Sequence, residues 1–316
     1  MIPFGIIGVG GYIAPKHLKA IKDTGNTLSC AFDPRDSVGI LDSYFPQADF
    51  FTEFERFDRH INKLTHKNQG IQYLSICSPN YLHDSHIRFA LKNGINAICE
   101  KPLVLNPWNI DSLEQAQKET GKKIYTILQL RLHPHIQKLK AHVQKELIKH
   151  PNKVYDITLT YITARGKWYF VSWKGDEAKS GGIGTNIGVH FFDMLCFIFG
   201  NPKINIVHIH KPDCMGGYLE LKHARVRWFL SINANHLPKD IQAMDKKTYR
   251  SIIINNDEVE FSDGFTNLHT NSYEEILQDK GFDLKDSKES IQIIHDIRNT
   301  SPIGLAGDYH PLCQRI

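Results

Sequence analysis

The sequence predicts an α/β chain in two parts: an N-terminal doubly wound parallel sheet, and a C-terminal domain built on a large, mostly antiparallel sheet. Three observations carry this. Apolar strand-like runs alternate with helical patterns from Phe4 to about residue 130, the arrangement of a parallel sheet with helices on its faces. The first strand runs directly into a glycine turn and then a helix. Beyond about residue 125 the alternation gives way to strands joined by short turns, which favours antiparallel pairing. The expected division is 1–125 and 126–316.

Phe4–Ile7 is the first strand, and Tyr12–Lys22 the helix after it, with Pro15 tolerated in its first turn. Thr27–Phe32 is a second strand. Tyr73–Cys77 is another, ending in Ser78-Pro79-Asn80, and His83–Asn93 is helical, with Ile87, Ala90 and Leu91 at helical spacing. Ile95–Cys99 is a strand ending in Glu100-Lys101-Pro102, Pro107–Glu119 is a helix, and Lys123–Leu130 is a strand. Right-handed crossovers then line up the loops that follow the strands along one edge, where ligands bind. In the second part, Tyr155–Thr163, Ile204–His210, Tyr218–Lys222, Ala224–Ala234 and Ser251–Asn255 read as strands, and Lys285–Asn299 as a late helix.

A net charge of +4 suits a small anionic ligand and is too weak to indicate nucleic acid. The opening residues lack the charged and apolar regions of a signal peptide, and the longest apolar run, around Phe191–Phe199, falls short of the ~20 residues of a membrane span. The expectation is a cytoplasmic protein without membrane contact. None of the six cysteines forms a CxxC pair, and they read as reduced packing thiols. His133/His135 and His208/His210 lack acidic or cysteine partners at ligand spacing, so no metal is expected.

Gly8-Val9-Gly10-Gly11-Tyr12-Ile13 is a dinucleotide-binding turn of the Rossmann type. Gly8 permits the tight turn, and Gly10 lets the backbone approach a pyrophosphate at the N-terminus of the next helix. Ile13 stands where the third glycine usually falls. Asp33, at the end of the second strand, is placed to accept both ribose hydroxyls and to repel a 2′-phosphate, which favours NAD over NADP. Arg35 beside it is of the type that holds such a phosphate.

Asn186, His190 and Asp193 recur at helical spacing on a stretch that is otherwise apolar: Ile187, Val189, Phe191, Phe192, Met194, Leu195. A polar stripe on a buried helix faces a ligand or is paired. The alternative is a core histidine satisfied by Asp193. Lys101 follows a parallel strand directly, so it projects over the edge where a nicotinamide would lie. Arg165, Lys167 and Lys174, with Trp168, Tyr169 and Trp173 among them, suit a diphosphate, a carboxylate and a flat base. The alternative there is an exposed basic loop. The basic run over 137–150 reads as a solvated helix face.

Glu100-Lys101-Pro102 resembles the EKP signature of the glucose–fructose oxidoreductase/inositol dehydrogenase (Gfo/Idh/MocA) family, and the opening GIIGVGGYIAPKHLKAI is similar to that family's N-terminus. The family's GGG-x-x-x-D-x-G-x-H-x-x-D motif is matched by Gly181 to Asp193, with Asn186 in place of the aspartate. Gln129–Pro134, Ser172–Asp176 and Gly307–Leu312 resemble one branch, the UDP-N-acetyl-glucosaminuronate 3-dehydrogenases of bacterial O-antigen sugar synthesis, which carries the same asparagine.

The resemblance implies NAD bound by the glycine turn, Tyr12, Ser78, Pro79, Asn80, His83, Glu100, Lys101 and Gln129. It implies a UDP-linked uronate substrate touched by Arg165, Lys174, Asn186, His190 and Tyr309, with 2-oxoglutarate as a possible reoxidant, in a dimer or tetramer. Alcohol oxidation needs a base and a partner for the developing alkoxide. Lys101 and His190 divide those roles. Because Asn186 is neutral it cannot raise the basicity of His190, so Lys101 is expected as the acid/base, with His190 on the same oxygen. Two other readings are a dehydrogenase of a free sugar or inositol, and a non-catalytic NAD sensor.

Overall fold

The computed structural model describes residues 1–259 and 266–316. They divide into one unit of Met1–Gln129 with Thr266–Lys288 and a second of Leu130–Phe265 with Glu289–Ile316. A single cut at residue 125 therefore misassigns one segment. Helix Leu268–Leu277 packs in the first unit, where Tyr273 and Ile276 join Leu18, Ile21, Ile98 and Ile127 in its apolar core.

The first unit holds strands β1 (Pro3–Ile7), β2 (Thr27–Phe32), β3 (Asp49–Phe51), β4 (Tyr73–Ile76), β5 (Asn96–Cys99) and β6 (Ile124–Thr126) in the order β3-β2-β1-β4-β5-β6. All adjacent pairs are parallel. The order reverses between β1 and β4, and ligands bind outside the carboxyl ends of strands at such a switch point. Gly8 and Ser78, which follow these two strands, stand at that point. β3 and the helix Phe54–His66 escape the sequence patterns. β3 has only three residues, and the helix buries only Phe57 and Ile61 among polar neighbours.

The second unit holds β7 (Tyr155–Thr163), β8 (Pro202–His210), β9 (Cys214–Leu221), β10 (Ala224–Ser231), β11 (Thr248–Ile254) and β12 (Asp257–Glu258), in the order β12-β11-β7-β10-β9-β8. Among the described residues only β7 and β10 pair in parallel; the other pairs are antiparallel. Phe192, on helix Val189–Phe199, meets Trp228 of β10 edge-on at 5.4 Å. The helical stretch Glu177–Phe199 is long and apolar enough to cross a membrane by length and composition, which the sequence runs did not suggest. Its most apolar window is 72% buried in the protein interior, the situation of a core helix. All six cysteines are free, and five are buried.

Candidate active site

In the first unit, Gly8 adopts φ +83°, and a Cβ there would lie 2.7 Å from the backbone of Cys77 and Ser78. Only glycine lets the β1 and β4 loops approach this closely. A Cβ on Gly10 would lie 3.2 Å from Asp33 Oδ2, which accepts the Gly10 N–H at 2.9 Å. Asp33 Oδ1 accepts the Arg35 N–H at 3.0 Å. Each oxygen keeps a lone pair for a ribose hydroxyl. The helix Ala14–Asp23 starts with no side-chain cap; Pro15 has no N–H, and the Ala14 and Lys16 N–H groups donate to the Gly11 and Ile13 carbonyls at 3.1 and 2.9 Å. Ile13 packs against the apolar core, which accounts for the missing third glycine. Tyr12 is 96% exposed, and Arg35 is exposed as well.

The loops after β4 and β5 are tied to each other. His83 is buried, with its ring nitrogens 2.6 Å from the Pro102 carbonyl and 2.9 Å from the Ser78 carbonyl. Ser78 Oγ lies 2.9 Å from His86 Nδ1. Glu100 is 4% exposed, and its Oε2 accepts the Lys101 N–H at 3.2 Å. His83 and Glu100, expected on the cofactor, place their side-chain polar atoms in hydrogen bonds within these loops and the first unit. Lys101 and Pro79 are half-buried, and Asn80 is buried.

In the second unit, Gly184–Gly188 forms a π-helical turn ahead of helix Val189–Phe199, so the expected polar stripe is broken at Asn186. Such turns re-aim side chains and cluster at functional sites. Asn186 Nδ2 donates to Tyr169 Oη at 3.0 Å and to the Lys174 carbonyl at 3.3 Å, which anchors it to the basic-aromatic segment. Burial raises the Tyr169 phenol above its usual range. Asp193 is buried. It takes two hydrogen bonds from Arg131, Nε at 3.0 Å and Nη2 at 2.7 Å. His190, half-buried, lies one turn before this pair.

A cavity of about 330 Å³ in this unit is lined by Tyr169, Lys174, Glu177, His210, Lys211 and Met215. Lys174 is half-buried, with Nζ 5.1 Å from the Trp173 ring centroid, whereas Arg165 is exposed. Tyr309 Oη accepts a bond from Gln314 at 2.9 Å. His310 is buried, with Nε2 2.9 Å from Thr160 Oγ1 and Nδ1 accepting the Leu312 N–H at 3.1 Å, so it braces the C-terminal segment.

Sequence reading missed His17, His269 and Tyr273, which gather around Glu100 in the first unit. Sequence separations of up to 256 residues leave no local signal of this cluster. One nitrogen each of His17 and His269 and a Glu100 oxygen lie within 4.8 Å of one another, a grouping that could hold a metal ion.

Comparison with known proteins agrees with the fold. The model described as "Oxidoreductase family, NAD-binding Rossmann fold" matches residues 2–127, and "Oxidoreductase family, C-terminal alpha/beta domain" matches residues 145–241. The WlbA (WbpB) dehydrogenase of Thermus thermophilus, solved with NAD and UDP-GlcNAcA, is 46% identical. The likeness covers 98% of this chain and 99% of that one, with a TM-score of 0.94. The same enzyme solved with NAD and alpha-ketoglutarate aligns at 47% identity, with the same coverage and TM-score. Among curated relatives, D-glucoside 3-dehydrogenase of Escherichia coli (strain K12) is 27% identical over 149 residues, 45% of this chain and 40% of that protein. The chain spans about half the length of the curated relatives it matches.

Proposed function

This chain belongs to the Gfo/Idh/MocA oxidoreductase family, and on that footing we propose that it oxidises the C3 hydroxyl of UDP-N-acetyl-glucosaminuronate to a ketone in O-antigen sugar synthesis. The observation that carries this reading is the whole-chain likeness to an enzyme solved with NAD and UDP-GlcNAcA. The glycine-restricted cradle at Gly8 and Gly10, with Asp33 behind it, fits NAD. NAD supplies the hydride acceptor, and a 2-keto acid such as 2-oxoglutarate is the proposed terminal oxidant.

Lys101 contacts the reacting hydroxyl and receives its proton as the carbon–hydrogen bond breaks, so the alkoxide never builds up full charge. His190 donates a hydrogen bond to that oxygen, and Asn186, fixed by Tyr169, orients the sugar. Lys174 and Arg165 meet the diphosphate and the uronate carboxylate. The enzyme is cytoplasmic and assembles as a dimer or tetramer through the C-terminal sheet, which light scattering after gel filtration checks.

Lys101→Met tests the chemistry. Turnover of UDP-GlcNAcA with NAD falls at least about a hundredfold, the low end of general acid–base contributions. NAD affinity, read by fluorescence quenching, stays within about twofold, because the glycine cradle is untouched. Near-normal turnover in this variant refutes the assignment.

A further inference from the structure

Glu100 sits at the end of β5, directly before Lys101, and its carboxylate is enclosed. Its Oε1 lies 2.9 Å from His17 Nε2 and 3.0 Å from His269 Nε2. Its Oε2 takes the Lys101 N–H. His17 Nδ1 lies 2.7 Å from Tyr273 Oη, which lies 2.6 Å from Ser75 Oγ. The proton inventory gives this chain one direction. A carboxylate only accepts, so His17 donates from Nε2. Its Nδ1 then accepts from the Tyr273 hydroxyl, and the Tyr273 oxygen accepts from Ser75.

The charge states agree with that direction. Burial opposes ionisation of Glu100, but the two imidazole donors outweigh it and hold the carboxyl well below its usual range. Burial also holds the His17 imidazole below its ordinary value. The groups facing Glu100 are His17 and His269, Tyr273, the thiols of Cys77 and Cys99, His83, and Lys101 itself. A tetrahedral zinc ion with bonds of about 2.0–2.1 Å would hold its ligand atoms about 3.3 Å apart. The observed 2.9 and 3.0 Å are hydrogen-bond lengths.

We propose that His17, His269 and Tyr273 are positioning residues for Lys101: they fix Glu100 as a buried anion immediately behind the lysine and so set the field and the direction in which it works. Two of the three come from helix Leu268–Leu277, so the segment that returns to the first unit completes the catalytic loop. This inference rests on the proposed role of Lys101.

The experiment compares His269→Phe with His269→Gln, whose side-chain amide keeps an N–H donor near the same place. With UDP-GlcNAcA and NAD, His269→Phe lowers kcat about tenfold, a fraction of what acid–base catalysis supplies. The limb of the kcat–pH profile that belongs to Lys101 moves with it, because the anion behind the ammonium is no longer held. KM for the sugar and Kd for NAD stay within about twofold, and His269→Gln restores both kcat and the pH limb. Should His269→Phe fail to fold, Tyr273→Phe, which deletes only the hydroxyl, shows the same change at about threefold.

Independently of turnover, 15N–1H correlation spectra of the histidine rings show His17 as the Nε2–H tautomer. An unchanged kcat and pH limb in the folded His269→Phe or Tyr273→Phe protein, equal damage in His269→Gln, an Nδ1–H tautomer, or one metal ion per chain by mass spectrometry overturns the inference. Turnover that survives Lys101→Met refutes the parent reading. Silent His269 variants of an enzyme that Lys101→Met inactivates refute this inference alone.

Discussion

Replacing Asp193 with asparagine keeps the side-chain shape and removes its charge. The structure makes that loss expensive. The Arg131 and Asp193 side chains are 7% and 1% exposed and share two hydrogen bonds. With the carboxylate gone, a guanidinium is left buried without its counter-charge, and one of its N–H groups faces an amide N–H. Breaking a buried pair from one side costs about 3–5 kcal/mol. At about 2–4 °C per kcal/mol for a unit of this size, Tm falls by about 6–20 °C. Thermal melts followed by circular dichroism read the shift. The double variant Arg131→Met/Asp193→Leu removes both charges and lies within about 1–2 kcal/mol of the parent, since apolar replacement of a buried pair is close to neutral. A loss below about 1 kcal/mol in Asp193→Asn, or a double variant no more stable than the single one, refutes the view of this pair as a mutually dependent buried bridge. Because His190 lies one turn before Asp193, kcat of the single variant falls as well.

Three further outcomes are expected. Gly8→Ala forces a side chain into φ +83° and within 2.7 Å of the Cys77–Ser78 backbone. It costs more than about 2 kcal/mol and abolishes NAD binding in calorimetry; an unchanged Kd contradicts the close-approach argument. Asp33→Ala weakens NAD at least about tenfold and narrows the preference over NADP, because the acceptor for the ribose hydroxyls and the repulsion of a 2′-phosphate go together; an unaltered preference counts against Asp33 as the selector. Burial pushes His86 and His310 down to about 4, whereas the unfolded imidazoles titrate near 6.5. The unfolded chain therefore takes up protons first as pH falls. Stability from these groups is full above pH 6.5 and is lost towards pH 4, by up to about 3 kcal/mol each. Urea midpoints at pH 7.5 and 5 measure it, and His86→Gln or His310→Gln reduces the difference; a pH-independent midpoint refutes it.

Local chemistry made much of the candidate site legible. The Gly8–Gly10 turn, Asp33 and Lys101 are governed by backbone conformation and by position after a strand, which short windows report. The polar stripe from Asn186 to Asp193 was visible too, although its meaning was not. A period of 3.6 cannot reveal that a π-helical turn interrupts it, nor that Asp193 answers to Arg131, 62 residues away. The internal hydrogen bonds of His83 and Glu100 were likewise not legible, since a sequence motif does not say which way a buried polar atom is satisfied.

The sequence by itself determined the two sheet types, the dinucleotide turn with its preference for NAD, and the candidate lysine, because each depends on periodicity or on steric rules within a few residues. Only the tertiary structure decided which buried polar groups pair, and that helix Leu268–Leu277 returns to the first unit to bring His269 and Tyr273 to Glu100. A buried charge or hydrogen-bonding group must find a partner wherever the chain can supply one, and that partner is set by packing between distant segments rather than by neighbours in sequence.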